Sequence, residues 1–133
     1  MTGLTRSELS RRAGVNPETL RYYERLGLLP PPPRTPSNYR QYPEDAVVRL
    51  RFIRKARELG FTLREIGDLL ALRADSKARC SQVREKAEQK LANVEERIRS
   101  LRSIAKALKS LIRRCSKDGP TTRCPILEAM DDT

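Results

Sequence analysis

At 133 residues, with 38% hydrophobic and 5% aromatic residues and no Trp, the chain is too lean for a large core of its own and calls for a partner to cover part of its apolar surface. A formal charge of +11 and a pI near 10.2 point to an acidic polymer, nucleic acid first, with a ribosomal or membrane-surface role as the bland alternative. No apolar run approaches the ~20 residues that cross a bilayer and no signal-peptide core opens the chain, so no membrane partner and a cytoplasmic location are expected.

The charge does not single out one half, being net +5 over residues 1–75 and +6 over 76–133. Thr5-Arg6-Ser7-Glu8 has the capping-box pattern, with Leu9 and Ala13 on the face that follows. After a turn at Gly14, Asn16 and Pro17 start a second helix that reaches about Leu26 and ends at Gly27. Two short helices joined by such a turn make a helix-turn-helix candidate, whose second helix enters the major groove. Its candidate DNA contacts are Thr19, Arg21, Tyr22 and Tyr23. Arg can bond guanine bidentately and a Tyr hydroxyl can reach phosphate. One tyrosine of the pair is expected to pack inward instead, and which one is left open.

Residues 30–36 are too proline-rich for helix, Ser37 and Asn38 make a turn, and Tyr39-Arg40-Gln41-Tyr42 alternates like a short strand. A basic wing follows from this, with Tyr39, Arg40 and Tyr42 as contacts to the DNA backbone. Pro43-Glu44-Asp45 opens a third helix bearing Val47, Leu50, Ile53 and Leu59, with Arg54 as a phosphate clamp; Gly60 closes it. Thr62-Leu63-Arg64-Glu65 is a second capping box, starting a fourth helix through Leu72, and 73–79 reads as a polar hinge.

From Cys80 to Cys115 there is neither Pro nor Gly. Ala87, Leu91, Val94, Ile98, Leu101, Ala105, Leu108 and Ile112 recur in alternating steps of 4 and 3, a heptad seam that needs a second helix. The tail is a polar loop over 116–123, then Cys124 at the cap of a short terminal helix begun by Pro125.

The cysteines make the demand for a partner sharper. In a cytosolic chain an odd set of three reads as metal-binding or redox-active rather than disulfide-bonded. A helix rising about 1.5 Å per residue holds Cys80 and Cys115 roughly 50 Å apart, whereas thiolates about 2.3 Å from one ion lie within about 4 Å of each other. Two antiparallel chains resolve this, with Cys80 of one beside Cys115 and Cys124 of the other. Cys80 opens a helix, where the dipole favours thiolate, and Arg79, Arg113, Arg114 and Arg123 flank the set. Three sulfurs without a single His suit Zn²⁺ poorly and soft ions well. Hg(II), Pb(II) and Cd(II) all fit such a site.

Leu20-Arg21-Tyr22-Tyr23-Glu24-Arg25-Leu26-Gly27-Leu28-Leu29, Tyr39-Arg40-Gln41-Tyr42 and the segment Arg51 to Leu63 resemble, in register, the MerR family of bacterial transcription regulators. The resemblance covers the whole chain. It implies a mainly α fold: a winged helix-turn-helix DNA-binding domain over 1–75, including a helix pair at 44–72, then a dimerisation region over 76–133. There the helix at about 80–115 forms an antiparallel coiled coil and the loop 115–124 binds metal. The spacings of 35 and 9 between Cys80, Cys115 and Cys124 resemble the mercury-responsive branch, with lead-responsive members sharing a similar trio. Hg(II) is thus the first expectation for the effector. Copper- and gold-type members have Ser at the place of Cys80. Zinc-type members add a Cys and a His where this chain has Ser116 and Pro120. The resemblance further implies a homodimer on a palindromic promoter, bending and untwisting an overlong spacer for RNA polymerase when metal is bound. No enzymatic activity is expected. The rival is a thiol-redox sensor in which Cys115 and Cys124 pair.

Overall fold

The computed structural model describes residues 3–32, 41–115 and 117–131. Among these, six α-helices follow in chain order: α1 (Arg6–Ala13), α2 (Pro17–Arg25), α3 (Asp45–Glu58), α4 (Leu63–Ala74), α5 (Cys80–Arg114) and α6 (Pro125–Asp131). The fold is mainly α, as expected. Tyr39, Arg40 and Ser116, and with them most of the anticipated wing, lie outside the described residues.

Short-range chemistry sets the helix ends. Thr5 Oγ1 accepts from Glu8 N–H at 3.1 Å while Thr5 N–H donates to the Glu8 carboxylate at 3.0 Å, so two orphan amides of α1 are satisfied reciprocally. The same box recurs at Thr62 and Glu65 for α4, at 3.2 and 2.8 Å. Asn16 Oδ1 accepts from Thr19 N–H at 2.8 Å and starts α2. Gly14, closing α1, has φ 70°, a left-handed backbone that disfavours a Cβ. A Cβ there would also stand 2.8 Å from the Arg54 guanidinium and push that flexible side chain aside.

The core lies where α1 to α4 meet. Leu9, Leu20, Leu29, Leu50, Ile53, Ile66 and Tyr42 are fully buried, each aliphatic side chain contributing about 1.5–3 kcal/mol. On α3 the inward stripe is Ala46, Val47, Leu50, Ile53 and Ala56; Leu59, read from sequence as part of it, stays exposed at the helix end. Leu4 and Tyr42 form an isolated antiparallel bridge, with N–H···O bonds of 2.8 and 2.7 Å. That bridge is the described end of the segment expected to alternate as a strand. α4 runs two residues past Leu72, to Ala74, which shortens the hinge to 75–79.

The chain packs as two compact units, Met1–Lys90 and Leu91–Thr133. In the first, Gln82 Oε1 accepts from Arg79 N–H at 2.8 Å, half a capping box that fixes Cys80 as the opening residue of α5. The second holds the rest of α5, a 3₁₀ turn at Thr121–Arg123 and α6. No residue of α5 is buried. Its seam side chains Leu91, Val94, Ile98, Leu101, Leu108 and Ile112 are all exposed, as is Ala105. No helix among the described residues is long and apolar enough to cross a membrane.

The two capping boxes carry a pH signature. The amide of Thr5 holds the Glu8 carboxyl below the usual carboxylate range. Lys90, followed by the amide of Thr62, does the same for Glu65. Depressed carboxyls add stability above their unfolded values and lose it as pH falls through the folded ones. The unfolding midpoint is therefore expected to drop between about pH 6 and pH 3. The Glu8→Gln/Glu65→Gln variant keeps both boxes without the charges and should give a shallower profile; an unchanged slope counts against this account.

Candidate DNA-binding face and thiol sites

The helix-turn-helix is held together by α1, which packs on both α2 and α3, and each candidate side chain takes its place from that packing. On α2, Leu20 and Tyr23 are three residues apart and share one face; both are buried, Tyr23 to 6%. Tyr22 points the other way and is 44% exposed, its ring 6.3 Å from that of Tyr23. The inward tyrosine is thus Tyr23, which is core and not surface. Arg21 is exposed and its guanidinium lies 2.7 Å from Glu18, which restrains it along the outer face of α2. Thr19 is half-buried and donates its hydroxyl proton to Asn16 at 3.0 Å, so it serves the helix cap.

Tyr42 corrects a second expectation. It is fully buried and is no backbone contact for DNA. Its hydroxyl donates to Glu24 Oε2 at 2.7 Å and accepts from Arg6 Nε at 3.4 Å, while Arg6 also donates to Glu24 Oε1 at 3.2 Å. Burial, and then the bond to Glu24, push the phenol above its ordinary value, keeping it protonated as the donor. The trio ties α1, α2 and the segment entering α3 into one unit. A strand pattern would have warned of this, because positions 39 and 42 fall on opposite faces of it.

Arg54 is exposed on α3, pairs with Glu58 at 3.6 Å and leans on the turn at Gly14, so a third helix presents a cation beside the helix-turn-helix. Arg25, which the sequence reading passed over, is also exposed and stands 5.8 Å from the Tyr22 ring centroid. Its spacing of four from Arg21 was the available signal. The exposed side chains of Arg21, Tyr22, Arg25 and Arg54 are of the kinds that bond an anionic backbone, and an Arg guanidinium is also of the kind that bonds a guanine edge.

The thiols are all free and none belongs to the core: Cys80 and Cys115 are exposed and Cys124 is half-buried. Cys80 opens α5 in the first unit. In the second, Cys115 N–H donates to Ile112 O at 3.1 Å as α5 ends, with the Cys115 Sγ 3.9 Å from the Lys117 carbonyl. Cys124 caps α6, its carbonyl accepting from Glu128 N–H at 3.0 Å. Arg79, Arg113, Arg114 and Arg123 are exposed around them. Among the described residues of this one chain, no three His, Cys, Asp or Glu side chains converge as a metal site. The donor set itself, three thiols of which two are freely accessible, fits a soft ion.

A helix pair capped and packed in this way, with exposed cations on one face, defines a helix-turn-helix DNA-binding protein. Residues 4–72 match the model of the MerR HTH family of regulatory proteins, and residues 47–111 match the MerR DNA-binding model. The chain belongs to the MerR family. It is 42% identical over 123 residues to the mercuric resistance operon regulatory protein of Bacillus cereus, covering 92% of this chain and 93% of that protein. The transcription regulator PbrR691 from Ralstonia metallidurans, crystallised with lead(II), is 35% identical with a TM-score of 0.87, covering 96% of this chain and 98% of that one. The regulator MerR of Bacillus megaterium, crystallised with mercury(II), is 37% identical with a TM-score of 0.68, covering 91% and 94%.

Buried Tyr42 and exposed Tyr22 predict opposite behaviour on losing a hydroxyl. Tyr42→Phe removes a hydrogen bond to a charged group and should cost about 1.5–3 kcal/mol in urea unfolding. Tyr22→Phe should stay within about 0.5 kcal/mol and weaken DNA binding instead. The reverse order of stabilities would show the trio to be misassigned.

Proposed function

We propose that this chain is a homodimeric, metal-responsive transcription regulator of bacterial cytoplasm, acting on promoter DNA with RNA polymerase and carrying out no catalysis. Each metal site would combine Cys80 of one chain with the partner's Cys115 and Cys124. The observation that carries this is the placement of all three thiols outside the core. Buried cysteines would be packing residues; exposed ones among arginines are available to an ion.

The seam Leu91, Val94, Ile98, Leu101, Ala105, Leu108 and Ile112, exposed along α5, supports an antiparallel coiled coil that would bring Cys80 to the partner's loop. Residues 1–75 would then act as the DNA-binding part and 76–133 as the dimerising and sensing part. Arg21 and Tyr22 would read or brace the major groove, and Arg25 and Arg54 would seat flanking phosphates. Tyr39 and Arg40 are retained as wing contacts. Holding an ion between the start of one α5 and the partner's loop would reset the two DNA-binding units and so distort the promoter.

Hg(II) is favoured as effector by the mercuric resistance relative and by the mercury-bound regulator. Pb(II) is the second reading, supported by the TM-score of 0.87 to the lead-bound regulator. Cd(II) is compatible with the same sulfurs. A reporter fused to a promoter selected by the protein itself, challenged with Hg, Pb, Cd, Zn and Cu salts, tests the proposal. Hg(II) should induce at the lowest concentration and zinc not at all. Serine at any one of Cys80, Cys115 or Cys124 should abolish induction while DNA affinity stays within about threefold. Full induction of Cys80→Ser, or a zinc response equal to that of mercury, defeats this reading.

A further inference from the structure

One side chain of α5 stands apart from the rest of that helix. Lys90 keeps only 14% of its side chain exposed, although lysines are ordinarily among the most exposed residues. Its Nζ lies 2.8 Å from Glu65 Oε1 and 5.7 Å from the centroid of the Phe61 ring. The Lys90 stem passes Gly60, its Cδ 3.9 Å from where a Cβ there would be. The turn from Gly60 to Glu65, between α3 and α4, is thus a socket for this one lysine.

Each wall of the socket is fixed from behind. Gly60 holds φ 95°, a backbone that favours glycine. Phe61 packs against the core. Glu65 is held by the capping box of α4, and the same oxygen that takes Lys90 also accepts the Thr62 amide at 2.8 Å. Among ion pairs of the described residues, this is the one joining α5 to the helices before it; the other pair on α5, Arg84–Glu88, is internal to the helix. Since α5 buries no residue, little else holds its first turns. Lys90 is also the last residue of the first unit, one position before Leu91 of the seam.

We propose that Lys90 is a positioning residue, a latch onto Glu65 and Phe61 that keys the long helix to the DNA-binding unit and sets how strongly effector binding reaches the DNA. A metal held at the ends of α5 acts on the DNA-binding unit through turns that this contact fixes. A loosened latch lets the helix move without carrying that unit along. The lysine touches neither the thiols nor the DNA-facing side chains named above, so its loss should spare both kinds of binding. The inference rests on the proposed metal-driven switch.

The test uses full-length dimers of Lys90→Met, which keeps the stem, Glu65→Gln, which keeps the capping box, their combination, and Lys90→Arg. Four readouts apply: amide exchange over residues 80–90 without metal, DNA affinity without metal, Hg(II) stoichiometry from thiolate absorption, and the ratio of Hg(II)-induced to basal transcription. Both single charge losses should speed exchange at 80–90 and cut the induction ratio at least about fivefold, with stoichiometry and DNA affinity unchanged. The combination should be no worse than either single change, and Lys90→Arg should restore the ratio. Wild-type ratios in the single variants, or losses that multiply in the combination, overturn the latch. A wild-type dimer that binds no Hg(II) or is not induced would instead sink the proposed switch. In that event exchange alone decides: unchanged protection at 80–90 overturns the latch, and lost protection supports it as a fixed anchor. Should Lys90→Met fail to fold, Glu65→Gln carries the same comparison.

Discussion

Everything in this protein answers to a helix of 35 residues that buries none of its apolar seam in its own chain. Six large apolar residues of the seam stand exposed along it, and water is a poor solvent for such a stripe. An isolated helix of this composition gains little from propensity alone and depends on packing its apolar face. The same helix begins at one thiol and ends beside another. In the proposed dimer, its length sets both the demand for a partner and the way in which the thiols would be used.

The DNA-binding half rests on a different principle. Its core is small, and fully buried Tyr42 adds specificity by joining Glu24 and Arg6 in a hydrogen-bonded trio. Buried polar groups of this kind are costly unless satisfied and, once satisfied, hold neighbouring elements in one arrangement. With α1, α2 and the start of α3 so tied, Arg21, Tyr22 and Arg25 keep a common outward face. Arg54 reaches the same neighbourhood from α3 by leaning on the turn at Gly14.

Local chemistry was the legible part of the sequence. The two capping boxes, the Asn16–Pro17 helix start and the turn at Gly14 all involve residues within a few positions of one another, and each stands where it was read. The long helix was legible because residues 80–115 hold neither Pro nor Gly, and α5 runs as one element from Cys80 to Arg114. What escaped was tertiary. Nothing near Tyr42 in sequence announces that its hydroxyl meets a carboxylate on α2, 18 positions away, and a tyrosine two positions from Arg40 in a short basic segment invites a surface reading. Choosing between Tyr22 and Tyr23 needed only the three-residue step from Leu20, which was available. Lys90 escaped as well, one charge among many on a helix whose other faces are solvated. For the thiols, the chain shows that none is core, while the proposed sharing between chains involves a second copy that one sequence leaves implicit.

The most direct measurement is the metal stoichiometry of a mixed dimer, one chain carrying Cys80→Ser and the other Cys115→Ser/Cys124→Ser. Sites shared between chains leave one complete set of three thiols in that dimer and none in either parent. Sulfur coordination read by X-ray absorption should then show one Hg(II) with three sulfur neighbours per mixed dimer and no three-sulfur site in the parents. An intact three-sulfur site in either parent dimer, or none in the mixture, would contradict a sensor completed across the dimer.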